Sequence, residues 1–207
     1  MAVMIHQTDE QRRIAILREA RRSFMELGYA QTRMEPVARL AGVSTATLYA
    51  LFIGKSELFE AVIKESADEF ARQMDTVNLR HGPTRQQLTA FARAYATFMA
   101  DPFVRSVFRL VIAERPRFRG VAMGFFERGR TDFGAVLMQA LSEMAVRGEL
   151  ALDKPSWAAG QLMGMIEHPI FFMPLVTGEE NMAQRSAHDV ADDAVETFLA
   201  RYGATRA

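Results

Sequence analysis

The chain has no cysteine among its 207 residues. Disulfides, thiolate zinc sites and cysteine nucleophiles are therefore excluded. Histidine is scarce, with only His6, His81, His168 and His188. No GxSxG, HExxH, Walker loop or glycine-rich nucleotide loop occurs, so neither catalysis nor a cofactor or metal is expected. No run approaches the ~20 apolar residues of a membrane helix. The richest stretch, Ile170 to Val176, is short and contains Pro174. Met1 to Arg13 has no apolar core ahead of its charges. No secretory segment is expected there, and a cytoplasmic location follows by elimination.

Net charge is also missing, with 25 basic residues against 25 acidic ones. Its distribution is uneven. Residues 1–55 hold eight basic and five acidic side chains, and the remainder holds 17 and 20. A basic head on a slightly acidic body fits a small nucleic-acid-contacting module carried by a domain that does not touch nucleic acid.

Apolar residues recur at helical spacing almost throughout, which predicts an all-α fold of about nine helices. Ile16, Ala20, Phe24 and Leu27 form one stripe that ends near Gly28. Thr32 with Glu35, and Thr84 with Gln87, have capping-box spacing. Ser44 is a good N-cap. A longer helix after Gly54 would bury Leu58, Phe59, Val62, Ile63, Phe70 and Met74. Asn78 to Pro83 reads as a loop. Asp101-Pro102 reads as a stop and restart. One long helix is predicted from Phe118 to Arg147. Another starts near Trp157 with a kink at His168-Pro169, and a last one runs from about Met182 to Tyr202.

The richest segment is Thr32 to Leu58, TRMEPVARLAGVSTATLYALFIGKSEL. Two short helices joined through Ala41-Gly42-Val43 make a helix-turn-helix, whose second helix enters a DNA major groove. Ala38 is small where the helices must approach. Leu48 would point back into the small core, completed by Val43, Leu51 and Phe52. Thr45, Thr47 and Tyr49 are then left outward, beside the cap Ser44. Threonine reads bases or packs on a thymine methyl, and tyrosine reaches phosphate. Arg33 is placed for the DNA backbone. Lys55 would add its charge to the N-terminal N–H groups of the next helix. A three-helix unit with a glycine turn also occurs in helical proteins that bind no nucleic acid, so spacing alone leaves both readings open.

The stretch Ile14 to Ile63, about 50 contiguous residues, resembles the N-terminal domain of TetR-family transcriptional regulators. The resemblance rests on Phe24 with Gly28-Tyr29, Thr32, Ala41-Gly42-Val43-Ser44, Thr47-Leu48-Tyr49, Phe52, and Lys55 with Leu58. It implies an all-helical homodimer with a ligand-binding C-terminal domain, usually a repressor released from a palindromic operator by a small molecule. Three positions depart from the pattern. Ala46 stands where glycine is common, and Leu51 where a polar residue is common. Pro36 lies in the first turns of the second helix and disfavours helical geometry at Glu35.

The expected organisation is a DNA-binding domain over residues 1–55 and an effector-binding and dimerisation domain over 56–207. Thirteen of the 15 phenylalanines and nine of the 13 methionines lie after residue 55. They serve as ordinary core or line a cavity for an apolar or aromatic effector. Candidate lining residues are Phe91, Tyr95, Phe108, Phe125, Phe126, Met163 and Phe171, with polar atoms from Arg109, Arg128, Glu167 and His168. Glu167 and His168 lack the i, i+4 spacing of a metal pair. Trp157, Gln161, Gly164 and Met165 on one helix, with Ala187, Val190, Ala194 and Phe198 on the last, are candidates for a four-helix dimer interface. The alternative use of the same stripes is the subunit's own core. The alternative function is a DNA-binding architectural protein with no effector.

Overall fold

The computed structural model describes residues 8–74, 79, 82–178 and 185–204, Met74 by its backbone alone. Among these the fold is all-α. The helices are α1 (Asp9–Gln31), α2 (Met34–Leu40), α3 (Thr45–Leu51), α4 (Lys55–Met74), α5 (Thr84–Ala100), α6 (Pro102–Glu114), α7 (Arg119–Gly129), α8 (Val136–Val146), α9 (Pro155–Glu167), α10 (Met173–Thr177) and α11 (Ala187–Tyr202). π-helical turns at Arg130–Ala135 and His168–Phe172 join α7 to α8 and α9 to α10. With these joins the eleven segments make nine helices among the described residues. The expected tracts at Asn78, Arg80, His81 and Met182 lie outside the described residues, and so does His6.

The second π turn has a covalent cause. Pro169 has no N–H to give an α-helical hydrogen bond, and its ring crowds the preceding turn. The chain widens instead, and the Met173 N–H reaches back five residues to the carbonyl of His168. The expected kink is therefore a wide turn inside a continuous rod. The first π turn, beside Gly129 and Gly134, has no proline and leaves no trace in apolar spacing.

The helix ends follow local chemistry, with two corrections. Asp101 accepts from the Phe103 N–H at 2.8 Å, and Pro102 opens α6. Ser186 and Asp189 form a full capping box at the start of α11. Thr32, however, does not cap α2. Its hydroxyl donates to the carbonyls of Ser23 (3.1 Å) and Gly28 (2.8 Å), closing the end of α1 instead. Gly28 takes φ +74, and the chain turns there. Leu27, just before that turn, is exposed rather than in the stripe. Thr84 does not cap α5 either. Pro83 occupies the cap, and the Thr84 hydroxyl donates to Glu149 at 2.5 Å.

The chain divides into two compact units, Met1–Ala67 with Leu110–Phe125, and Asp68–Arg109 with Phe126–Ala207. A division at residue 55 does not anticipate that Leu110–Phe125 belongs with the N-terminal helices. In the first unit, Ile16, Ala20 and Phe24 of α1 pack with Val37 and Ala38 of α2, Leu48 of α3, Phe52, and Leu58, Phe59 and Val62 of α4. Phe118 completes an aromatic cluster, its ring 4.9 Å from Tyr29 and 4.6 Å from Phe59.

In the second unit α5 lies along α11, and α9 packs on α5, α8 and α11. The turn after α8 ties down the end of α11, with Ala151 N–H on the Tyr202 carbonyl (2.8 Å) and Ala204 N–H on that of Glu149 (3.1 Å). Arg147 and Thr84 hold the Glu149 carboxyl low, at about 2. Val190, Ala194 and Phe198 are buried within this unit, Phe198 to 1% exposure. These three candidate interface residues belong to the protomer's own core, because α11 turns its apolar stripe toward α5. Truncating Phe198 to alanine is expected to cost about 3–5 kcal/mol of stability. Urea unfolding should show the same loss at low and high protein concentration, as a core residue requires.

Candidate nucleic-acid interface

The turn between α2 and α3 is built by backbone chemistry. The Val43 N–H bonds the Ala38 carbonyl at 3.0 Å, and the Gly42 N–H bonds that of Arg39 at 3.2 Å. This is a Schellman ending, which needs a left-handed residue after the cap. Gly42 supplies it at φ +70. Ser44 then caps α3, accepting from the Thr47 N–H at 3.0 Å and sharing a 2.8 Å hydroxyl contact with Thr47. Leu48 is wholly buried and anchors α3 from beneath.

With that face sealed, the rest of the seven-residue helix points to solvent. Thr45 and Ala46 are exposed, Thr47 is half-buried, and Tyr49 is 47% exposed. The half-buried Val43 and Leu51 complete the small core only at its edge. Arg33 stands exposed at the cap of α2, which begins one residue later than a cap at Thr32 would have set it.

The basic head is less uniform than its count suggests. Arg12, Arg18 and Arg22 pair with Asp9, Glu19 and Glu26 along α1, each at 3.0 Å. Arg13 lies over the Phe52 ring, 4.6 Å from its centre. Arg33 and Arg39 have no acidic partner among the described residues, and both are exposed beside the motif. Sequence reasoning passed over Arg39, and also Ile53, which is 89% exposed between α3 and α4. Arg39 carried a usable signal, since it falls off the buried Val37-Ala38 face of α2. Ile53 carried none, because an isoleucine is normally read as core.

Lys55 is arranged differently from the others. Its ammonium donates to the carbonyls of Tyr29 (2.8 Å), Ala30 (3.1 Å) and Thr32 (3.0 Å) and lies 4.5 Å from the centre of the Tyr29 ring. An ammonium has three donors, and all three are used inside the protein. Only its charge remains to act at the start of α4. The Tyr29 hydroxyl meets Ser56 at 2.9 Å beside it.

The candidate effector residues in the second unit are only partly brought together. Tyr95 is buried, stacked on Phe91 at 5.7 Å, and its hydroxyl donates to Glu167. Burial above all, and then the Glu167 charge and hydrogen bond, push the Tyr95 phenol well above its usual value. Phe108 and Phe171 are half-buried and meet edge to face at 4.8 Å, and Met163 is half-buried. Four candidates face outward instead. Arg109 is exposed and Phe126 is 61% exposed. Arg128 pairs with Asp132 (2.6 Å) and Asp68 (3.0 Å) at the surface. His168 is exposed and stacks on Phe172 at 5.7 Å. Phe125 is half-buried and belongs to the first unit. No group of three or more possible metal ligands occurs among the described residues.

A short capped helix held outward by one buried leucine, beside unpaired arginines, defines a transcriptional regulator of the helix-turn-helix class. Residues 16–62 match the model described as bacterial regulatory proteins, tetR family, and residues 86–204 match the C-terminal domain of AefR-like transcriptional repressors. The chain belongs to the TetR family of transcriptional regulators, which are not enzymes. The uncharacterized HTH-type transcriptional regulator YhgD of Bacillus subtilis (strain 168) is 38% identical over 64 residues, 31% of this chain. That match spans about a third of the relative's own length, 34%. A TetR-family transcriptional regulator of Mesorhizobium loti MAFF303099 has a similar structure, with a TM-score of 0.84 and 26% identity over 96% of this chain and 100% of that one. The flavonoid-responsive regulator FrrA gives a TM-score of 0.76 and 26% identity over 95% of this chain and 100% of its own. Among the described residues no helix is long and apolar enough to cross a membrane.

Replacing Lys55 with methionine is expected to remove about 1.5–3 kcal/mol of stability, the range for hydrogen bonds from a charged donor. The urea midpoint measured without DNA checks this. A variant that unfolds like the parent would show that the lysine does not hold these two helix ends together.

Proposed function

We propose that this regulator is a cytoplasmic homodimeric repressor that grips a two-fold operator with one α3 from each subunit. A small apolar or aromatic ligand releases it. The observation that carries the reading is the outward face of α3. Thr45 and Tyr49 are presented to solvent by a helix too short and too firmly capped to serve as packing. Arg33 and Arg39 flank it for phosphate, where each contact releases counterions and makes binding depend on salt. Thr47 and Ser44 shape the entry to the groove, and Lys55 contributes charge at the start of α4. Residues 1–55 would bind DNA, and residues 56–207 would carry the effector site and the dimer surface.

Dimerisation is supported by an apolar strip on the α9–α10 rod. Trp157 is 66% exposed, Phe172 and Val176 are exposed, and Gln161 and Gly164 lie between them at helical spacing with half-buried Met165 beside. A second copy of this rod is the occupant the strip fits, because self-complementary faces close around a two-fold axis. Ala187, half-buried at the start of α11, is the one residue of the expected second stripe left with surface to offer. An aromatic effector is favoured by the Phe91, Tyr95, Phe108 and Phe171 rings, and by likeness to a regulator described as flavonoid-responsive.

DNA selected from a random pool, followed by footprinting, tests the reading. Protection should be two-fold symmetric, with half-sites about 34–36 Å apart. Replacing Tyr49 or Arg33 with alanine should weaken binding about tenfold, and Arg39→Ala should reduce the salt slope by about one. Trp157→Glu should give monomers in sedimentation at micromolar concentration and erase the symmetric footprint. Asymmetric protection, or a Trp157→Glu variant that stays dimeric, would count against this assembly.

A further inference from the structure

The second unit carries a polar pair that its packing does not explain. Tyr95 is fully buried in the middle of α5 among Phe91, Leu88 and Ala92. Its phenol donates to Oε1 of Glu167. No basic side chain and no second hydrogen bond reaches Glu167 among the described residues, so its other oxygen has no partner among them. Met163 and Phe171, four residues to either side of it along the rod, are half-buried like Glu167 itself. The protomer's own packing therefore does not close this strip.

Both π turns meet at this point. Glu167 is the last residue before the turn at His168–Phe172. Phe133, inside the turn at Arg130–Ala135, lies 6.1 Å from the Tyr95 ring. Wide turns of this kind open a helix locally and recur at functional sites. The two arginines expected to supply polar atoms here do not pair with the carboxylate. Arg128 is paired with Asp68 and Asp132, and Arg109 is exposed.

We infer that Tyr95 and Glu167 form a hydrogen-bond-accepting anchor that selects an aromatic effector carrying a neutral or cationic donor and rejects carboxylates and other anions. The inference rests on the effector-gated reading above and deepens it. A phenol or amine arriving at the open oxygen of Glu167 makes a charge-assisted hydrogen bond. Its ring enters the company of Phe91, Phe108 and Phe171. An anion in the same place meets the like charge of Glu167, and among the described residues no basic side chain reaches that carboxylate to compensate. Tyr95 keeps its proton and orients the carboxylate. It acts here as a positioning residue.

The test titrates the full chain at neutral pH with 4-hydroxybiphenyl and with biphenyl-4-carboxylate. They share one ring system and differ in the group offered. The hydroxyl compound should bind at least about tenfold more tightly, an ordinary size for discrimination by a misplaced charge. Glu167→Gln removes the charge and keeps an acceptor for Tyr95. It should tighten carboxylate binding about tenfold and leave the hydroxyl compound within about threefold. Glu167→Asp keeps the charge and should keep the rejection, which covers the case of a poorly folded glutamine variant. A carboxylate that binds as well as the hydroxyl compound overturns the inference. So does a preference that Glu167→Gln leaves unchanged, or no binding of either compound up to its solubility. Operator release is read in the same samples. Release by the carboxylate alone would leave effector gating standing and sink the anchor. Glu167-dependent binding of the hydroxyl compound with no release would do the reverse.

Discussion

The first unit depends on one half-buried electrostatic constraint, the seating of the Lys55 ammonium on three carbonyls at the end of α1. Those carbonyls come free because the chain leaves α1 at Thr32 in an extended conformation, so no residue of a further turn arrives to bond them. A cation is the natural partner for the negative end of a helix. Placed at the start of α4, it joins the end of α1 at Gln31 to the start of α4 at Lys55. The rings of Phe24, Tyr29, Phe59 and Phe118 close around the joint. α2 and α3 are short and have little core of their own. They hold their angle because the helices on either side are locked.

The outward helix follows from that rigidity. A seven-residue helix is unstable by itself, since nucleation costs more than so few hydrogen bonds return. Here Ser44 caps it, a Schellman turn delivers it, and Leu48 nails it to the core. Its exposed side is then free to carry residues chosen for something other than packing. Arginines on α1 are largely neutralised by neighbours along their own helix, and exposed pairs of that kind contribute little. Arg33 and Arg39, exposed at the motif itself, have no acidic partner among the described residues.

The second unit applies the same principle with a different outcome. α5, α9 and α11 pack through alanines, leucines and Phe198, and within them the buried Tyr95 hydroxyl is satisfied by the half-buried Glu167 carboxylate. A polar group deep in such packing is costly unless bonded. π turns flank the pair, one directly after Glu167 and the other bringing Phe133 against the Tyr95 ring. The apolar strip led by Trp157 lies on the same rod as Glu167, so the exposed strip and the polar pair belong to one element.

Helices, caps and the glycine turn were readable in the chain because each depends on neighbours three or four residues away. Gly42, Ser44, Leu48, Asp101-Pro102 and the Pro169 disturbance are of this kind. Capping boxes at Thr32 and Thr84 were not, since a hydroxyl near a helix end has several acceptors in reach and only the folded path selects one. The stripe of Val190, Ala194 and Phe198 showed amphipathicity, and its period is the same whether it faces α5 or a second subunit. Local periodicity and turn chemistry, then, were set by the sequence alone. Which face meets which partner, which charges are neutralised, and that Lys55 and Glu167 find their acceptor and donor across long stretches of chain were decided by the tertiary structure, because those energies exist only once distant residues are brought within a few ångströms.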